Sequence, residues 1–208
     1  APMDCSMINL THRPLLQDIT LLITGTNRGI GKATAILAAE HGARVICHAR
    51  MPSPELNDTL DSVHQHSPDS FTITANLLDA NACTIMADSV CERVSTIDAL
   101  VCNASDFRAP SELLSLAYTD YAAELNAVLA PVINPVNALL PMLTSTGNAS
   151  ITCLTATLPQ HPVTGHGAHA VAKGAVQTWV RQAARELGPL GIRVRSEEHT
   201  SELQSQFR

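Results

Sequence analysis

TGTNRGIG, residues 24–31, is the stretch whose reading decides the fold. It follows the apolar run DITLLIT (18–24) and opens a helix-length segment, GIGKATAILAAEHG (29–42). Glycines at a strand-to-helix junction share one physical reading. Gly25 permits the tight turn, Gly29 lets backbone approach a pyrophosphate, and Gly31 allows close helix–strand packing. A pyrophosphate seated there meets the free N–H groups and the positive dipole end of the helix. Thr26, Asn27, Arg28 and Ile30 complete the expected cradle.

The same alternation continues along the chain. Apolar runs of strand length recur at ARVICHA (43–49), FTITA (71–75), IDALVC (97–102) and ASITCLT (149–155). Helix-length stretches lie between them at 55–66, 77–94 and 111–143, and a further one follows at 168–187. Near-continuous apolar strands separated by amphipathic helices indicate β-α-β units, a parallel sheet covered on both faces. Right-handed crossovers make the expected architecture α/β, a three-layer doubly wound parallel sheet. Five strands are complete, and IRV (192–194) begins a sixth.

No repeat or linker divides residues 18–194, which read as one domain. Residues 1–17 lack periodicity and are expected to be an N-terminal extension. Residues 195–208, RSEEHTSELQSQFR, are polar and match neither a strand nor a helix with a core face. RSEEHTSELQS is also the in-frame translation of a widely used sequencing-adapter oligonucleotide. The tail is therefore expected to be non-native or disordered, with the genuine chain cut near Val194.

Composition narrows the class. The 208 residues are 45% hydrophobic but only 3% aromatic, so the core must be aliphatic. A formal charge of −6 argues against nucleic acid or an anionic membrane as partner. The six cysteines are scattered, without a C-x-x-C pair, which suits a reducing cytoplasm. No basic-then-apolar leader opens the chain, and no apolar run reaches the length of a membrane span. His161, His166 and His169 cluster without a cysteine or carboxylate at ligand spacing, so no metal is expected.

The end of the second strand reads the adenosine ribose. An NAD site usually places an acid there. This chain has CHAR (47–50), with Arg50 just beyond it and Arg28 in the glycine loop. Two guanidiniums suit a 2′-phosphate, so NADP is favoured over NAD.

The glycine loop, CNAS (102–105) after the fourth strand, and a lysine in the small-residue helix GAHAVAKGAV (167–176) together resemble the short-chain dehydrogenase/reductase family. The LGPLGIRV exit of that helix agrees in order and spacing, and the resemblance covers about residues 18–194. It implies a Rossmann fold that binds NAD(P) and moves a hydride to or from a carbonyl or alcohol. Asn103 and Ala104 match the family's Asn-Ala pair beside the cofactor. Asn76 and Leu77, ending the third strand, match the positions facing the adenine. Asn126 matches the helix asparagine that supports a proton-relay water, with a satisfied core amide as the alternative. Lys173 matches the lysine that holds the nicotinamide ribose and lowers the pKa of a neighbouring hydroxyl. The family also implies pairing into homo-oligomers for a full-length chain.

The catalytic pair departs from the family. Its Tyr-x-x-x-Lys reads H-A-V-A-K here, with His169 in the tyrosine's place. Ala156 stands where the family has serine, flanked by Thr155 and Thr157, either of which could supply the carbonyl-polarising hydroxyl. His169 either acts as the general acid or marks a decayed site or a base-call error. Pro131 and Pro135 should each weaken the long helix over 117–143. Two readings follow: an NADP-dependent oxidoreductase of a small carbonyl or alcohol, or an NADP-binding relative without turnover, truncated at the C-terminus.

Overall fold

In the computed structural model, residues 14–105 and 110–199 are described. Eleven main elements alternate along them: β1 (Thr20–Thr24), α1 (Gly29–Glu40), β2 (Arg44–Ala49), α2 (Pro54–His64), β3 (Phe71–Thr74), α3 (Ala80–Cys91), β4 (Ala99–Cys102), α4 (Tyr118–Ser145), β5 (Ser150–Ala156), α5 (Gly167–Leu187) and β6 (Arg193–His199). The strands form one parallel sheet in the order β3-β2-β1-β4-β5-β6. The order reverses between β1 and β4. Open α/β sheets hold ligands in the crevice outside that reversal.

Period-two alternation divides the strands between two aliphatic cores. Leu21 and Ile23 of β1 face the layer of α1, where Ala35, Ala38 and Ala39 let helix and sheet approach closely. Leu22 faces the other layer, built from residues such as Met86 of α3, Leu139 of α4 and Val176 of α5. Local sequence signals set the helix starts. Ser53 accepts a hydrogen bond from the Leu56 N–H, and Asp79 accepts from Asn81 and Ala82, which satisfies donors that a helix N-terminus leaves open.

Three expectations change. First, α4 runs unbroken through Pro131, Pro135 and Pro141, with Pro131 and Pro135 buried. It contains an 18-residue window of mean hydropathy 1.5, so by length and composition it could cross a membrane, contrary to the sequence expectation. Here it is a core helix, packed between α3 and α5. Second, the sixth strand does not stop at Val194. It pairs with β5 through Ala156↔His199. Strand pairing uses backbone groups, so an edge strand tolerates polar side chains; only Ile192 and Val194 need burial. Residues 200–208 lie outside the described residues, as does most of the expected N-terminal extension. Third, the described end of that extension is tied down: the Leu16 N–H donates to His41 O at 2.9 Å, and the Leu16 side chain packs on the α1 core.

Candidate active site

A cleft of about 860 Å³ opens above the reversal point, lined from the glycine loop to α5. The loop is built as its glycines require. Gly25 and Gly29 have φ of +72° and +58°, the left-handed region that favours glycine. A Cβ on Gly29 would meet nothing within 4 Å, so the loop presents bare backbone beside open space. Gly31 is different: a Cβ there would collide with Gly25 O and the Asn103 amide. The first glycine position shapes the turn, the second leaves a cradle, and the third packs.

Asn103 locks this loop to β4. Its Nδ2 donates to Thr24 O at 2.8 Å and to Gly25 O at 3.0 Å. Thr24 Oγ1 in turn accepts from the Asn103 and Ala104 N–H groups. Thr26 is fully buried, and its hydroxyl donates to His48 O. No side chain caps the N-terminus of α1, so its first N–H groups are available to an anion. Cradle, free donors and cleft size together fit the diphosphate of a dinucleotide.

The end of the cleft beside β2 and β3 is lined by Arg28, Ala49, Arg50, Asn76 and Leu77. Arg28 and Arg50 are exposed, and among the described residues no carboxylate lines the cleft. His48 forms its floor. That ring is buried between the Gly25 N–H, which points at Nδ1, and Ala75 O, 3.1 Å from Nε2. Burial pushes its pKa down to about 4.

At the other end, α5 brings His169 and Lys173 to one face, four residues apart. Lys173 is 4% exposed, and its Nζ donates to Leu154 O at 2.9 Å. Burial lowers its pKa to about 8. His169 lines both this cleft and a smaller adjoining cavity of about 140 Å³, shared with Ser111, Asp120, Glu124 and His166. Its Nδ1 stands 2.7 Å from Glu124 Oε1. Burial lowers the imidazole pKa, the Glu124 hydrogen bond opposes that, and the Lys173 charge adds to it.

Other expected residues are placed elsewhere. Asn126 is exposed, while Ala127 and Pro131 line the cleft from α4. A helix advances about 100° per residue, so a shift of one position turns a side chain off its face. Thr155 is buried with its hydroxyl donating to Glu197 O of β6, which leaves it tying the sheet edge. Thr157 is half-buried just past β5 and lines neither cavity. Ala156 is buried, and its carbonyl accepts from Gln177. Sequence reasoning missed Thr24, His48 and Glu124. Glu124 carried a signal: it is the sole acidic residue between Tyr121 and Ser145 of an otherwise apolar helix.

The family model for short chain dehydrogenases matches residues 20–197. The chain belongs to that family. It is therefore an oxidoreductase whose fold binds a nicotinamide cofactor. The 3-oxoacyl-[acyl-carrier-protein] reductase FabG of Thermotoga maritima is 30% identical over 182 residues, covering 86% of this chain and 72% of the relative. Among solved structures, an NADPH-bound short chain oxidoreductase of Pseudomonas aeruginosa PAO1 with an atypical catalytic center is 31% identical (TM-score 0.81). That match covers 87% of this chain and 70% of the other. Carveol dehydrogenase of Mycobacterium avium in complex with NAD is 26% identical, with a TM-score of 0.78 and coverage of 87% and 70%.

Proposed function

We propose that this protein is an NADP-dependent oxidoreductase acting on a small carbonyl or alcohol. The observation that supports the cofactor preference is the charge of the cleft: Arg28 and Arg50 line the end assigned to the adenosine, and among the described residues no carboxylate lines it. A 2′-phosphate gains charge-assisted hydrogen bonds there, whereas a ribose 2′-hydroxyl lacks the usual carboxylate partner. The nicotinamide supplies or accepts the hydride. The residues of this chain do the rest: the glycine loop and the α1 N-terminus hold the diphosphate, Asn103 braces the loop, and Asn76 and Leu77 border the adenine. Lys173 holds the nicotinamide ribose, and His169 exchanges the proton at the substrate oxygen.

Titration with NADPH and NADH, followed by nicotinamide fluorescence, tests the preference. NADPH is expected to bind at least ~10-fold more tightly, and Arg50→Ser to erase most of that ratio, since a charge-assisted hydrogen bond is worth about 1.5–3 kcal/mol. Equal affinities, or a ratio unmoved by Arg50→Ser, would overturn it. A second reading, a cofactor-binding protein without turnover, is favoured by one observation. Ala156 replaces the family's serine, and the neighbouring Thr155 hydroxyl is spent on Glu197 O. Turnover against a panel of carbonyls and alcohols, with His169→Tyr alongside, separates the two.

A further inference from the structure

Three ionisable side chains that are distant in sequence meet at the inner end of the cleft: Glu124 of α4, and His169 and Lys173 of α5. The Glu124 side chain is 3% exposed and the His169 side chain 12%. A carboxylate taken out of water to this extent needs a hydrogen-bonded partner. The partner is the imidazole Nδ1 at 2.7 Å, a length typical of charge-assisted bonds. An ionised carboxylate offers only acceptor sites, so with Glu124 charged Nδ1 carries the proton. That assignment leaves Nε2 with the lone pair when the ring is neutral, and with the second proton when it is charged.

We propose that Glu124 is the positioning residue of this site: its buried carboxylate fixes the Nδ1–H form of His169 and leaves Nε2 as the atom that exchanges the proton, so that a histidine–glutamate pair performs the transfer the family assigns to a phenol. The proposal rests on the oxidoreductase reading for its chemical consequence and on the Glu124–His169 contact for its geometry. In alcohol oxidation the substrate O–H bond breaks and its proton passes to Nε2. The electron pair of the substrate C–H bond leaves with its hydrogen as hydride to the nicotinamide, and the carbonyl forms. The resulting imidazolium keeps Nδ1–H on Glu124, whose negative charge offsets that of the Lys173 ammonium, four residues from His169. Reduction reverses each transfer. The same logic operates wherever a carboxylate orients a general-base histidine.

Among the described residues, the groups facing the imidazole are Glu124 and Asp120 from α4, and Lys173 and His166 from α5 and its N-cap. Cys153 of β5 bears on it only through Lys173. Asp120 already accepts from the Ala117 N–H at 2.9 Å. Among the described residues, Glu124 is therefore the carboxylate that bonds the imidazole itself.

The test needs no turnover. Two-bond ¹H–¹⁵N spectra of the ¹⁵N-histidine-labelled full chain read the tautomer of His169 in the wild type directly. Nδ1–H is expected above the titration midpoint, and Nε2–H would overturn the proposal. Glu124→Gln, near-isosteric, is expected to lower that midpoint by about one pH unit or more; an unchanged midpoint would overturn it. Kinetics supply the second arm. Glu124→Gln should lower kcat by up to about 10⁴-fold, the loss seen when an orienting carboxylate is replaced by its amide, while NADPH affinity holds. In the His169→Tyr background, where no imidazole remains to be oriented, the same change should cost little. Loss of the Nδ1–H form in Glu124→Gln without any fall in kcat would refute the positioning role. Absence of turnover in both wild type and His169→Tyr, with the tautomer as expected, would defeat the oxidoreductase reading and leave the Glu124–His169 pairing standing.

Discussion

The two ends of the cleft are built by different means. At the glycine loop, bare backbone faces the cleft, and the side chains of Asn103 and Thr24 hold that backbone in shape. At the α4–α5 end, side chains from separate elements must converge, and a change of one residue in helical phase decides which of them arrive. Adjacent residues therefore suffice to describe the first end. The second depends on how α4 rolls against α5, and there Glu124 arrives while Asn126 does not. A backbone site is set by local sequence; a side-chain site is set by packing.

The most severe way to break the first end is Gly31→Val. Its Cβ would strike Gly25 O and the Asn103 amide, and backbone cannot give way as a side chain can. Stability should fall by about 3 kcal/mol or more, and NADPH binding should be lost, as read by urea unfolding and fluorescence titration. Gly29→Ala is the sharper control. Open space surrounds its Cβ, so only the positive φ is strained, and the loss should be near 1 kcal/mol. If the two variants behaved alike, the division of labour within the loop would fail.

His48 tests whether the floor of the cleft is structural. Its folded pKa of about 4 lies below the ordinary 6.5 because burial disfavours the charged ring. Between those values the unfolded chain binds more protons than the folded one. Stability should therefore be fully present above pH 6.5 and fall as the pH drops toward 4, by up to about 3 kcal/mol. The comparison is with His48→Gln, followed by urea unfolding across that window. A wild-type curve no steeper than the variant's would show that His48 titrates freely.

The smallest effects separate sheet edge from site. Thr155→Val removes the hydroxyl that ties β5 to Glu197 O and should cost about 1 kcal/mol. Its effect on kcat should be slight, contrary to what its position beside Ala156 suggests. Asn126→Ala, at an exposed position, should change stability by less than about 0.5 kcal/mol and leave NADPH affinity unchanged. A large fall in kcat from Thr155→Val would return that hydroxyl to the reaction.

Much of this was legible in the chain. The alternation of apolar runs and helices announced the parallel sheet, because strands buried on both faces must be apolar throughout. The loop TGTNRGIG announced the turn between β1 and α1, because positive φ and close approach each demand glycine. The tail was less legible: RSEEH reads as too polar for a strand, yet it pairs along β5 because backbone, not side chain, makes an edge. The long helix expected to hold Pro131 and Pro135 is present as α4. Prolines cost hydrogen bonds in an isolated helix, but here Pro131 and Pro135 are buried in contacts that local rules do not count.

By itself, then, the sequence determined the fold class, the glycine loop between the first strand and the first helix, and the place of Lys173 on the helix after the fifth strand. Only the tertiary structure decided which face of α4 meets α5, and so brought Glu124 across 45 positions to His169. Periodicity states that a helix has an apolar face. It does not state which single polar residue on that face will find its partner, because that is settled by packing between elements and not within either one.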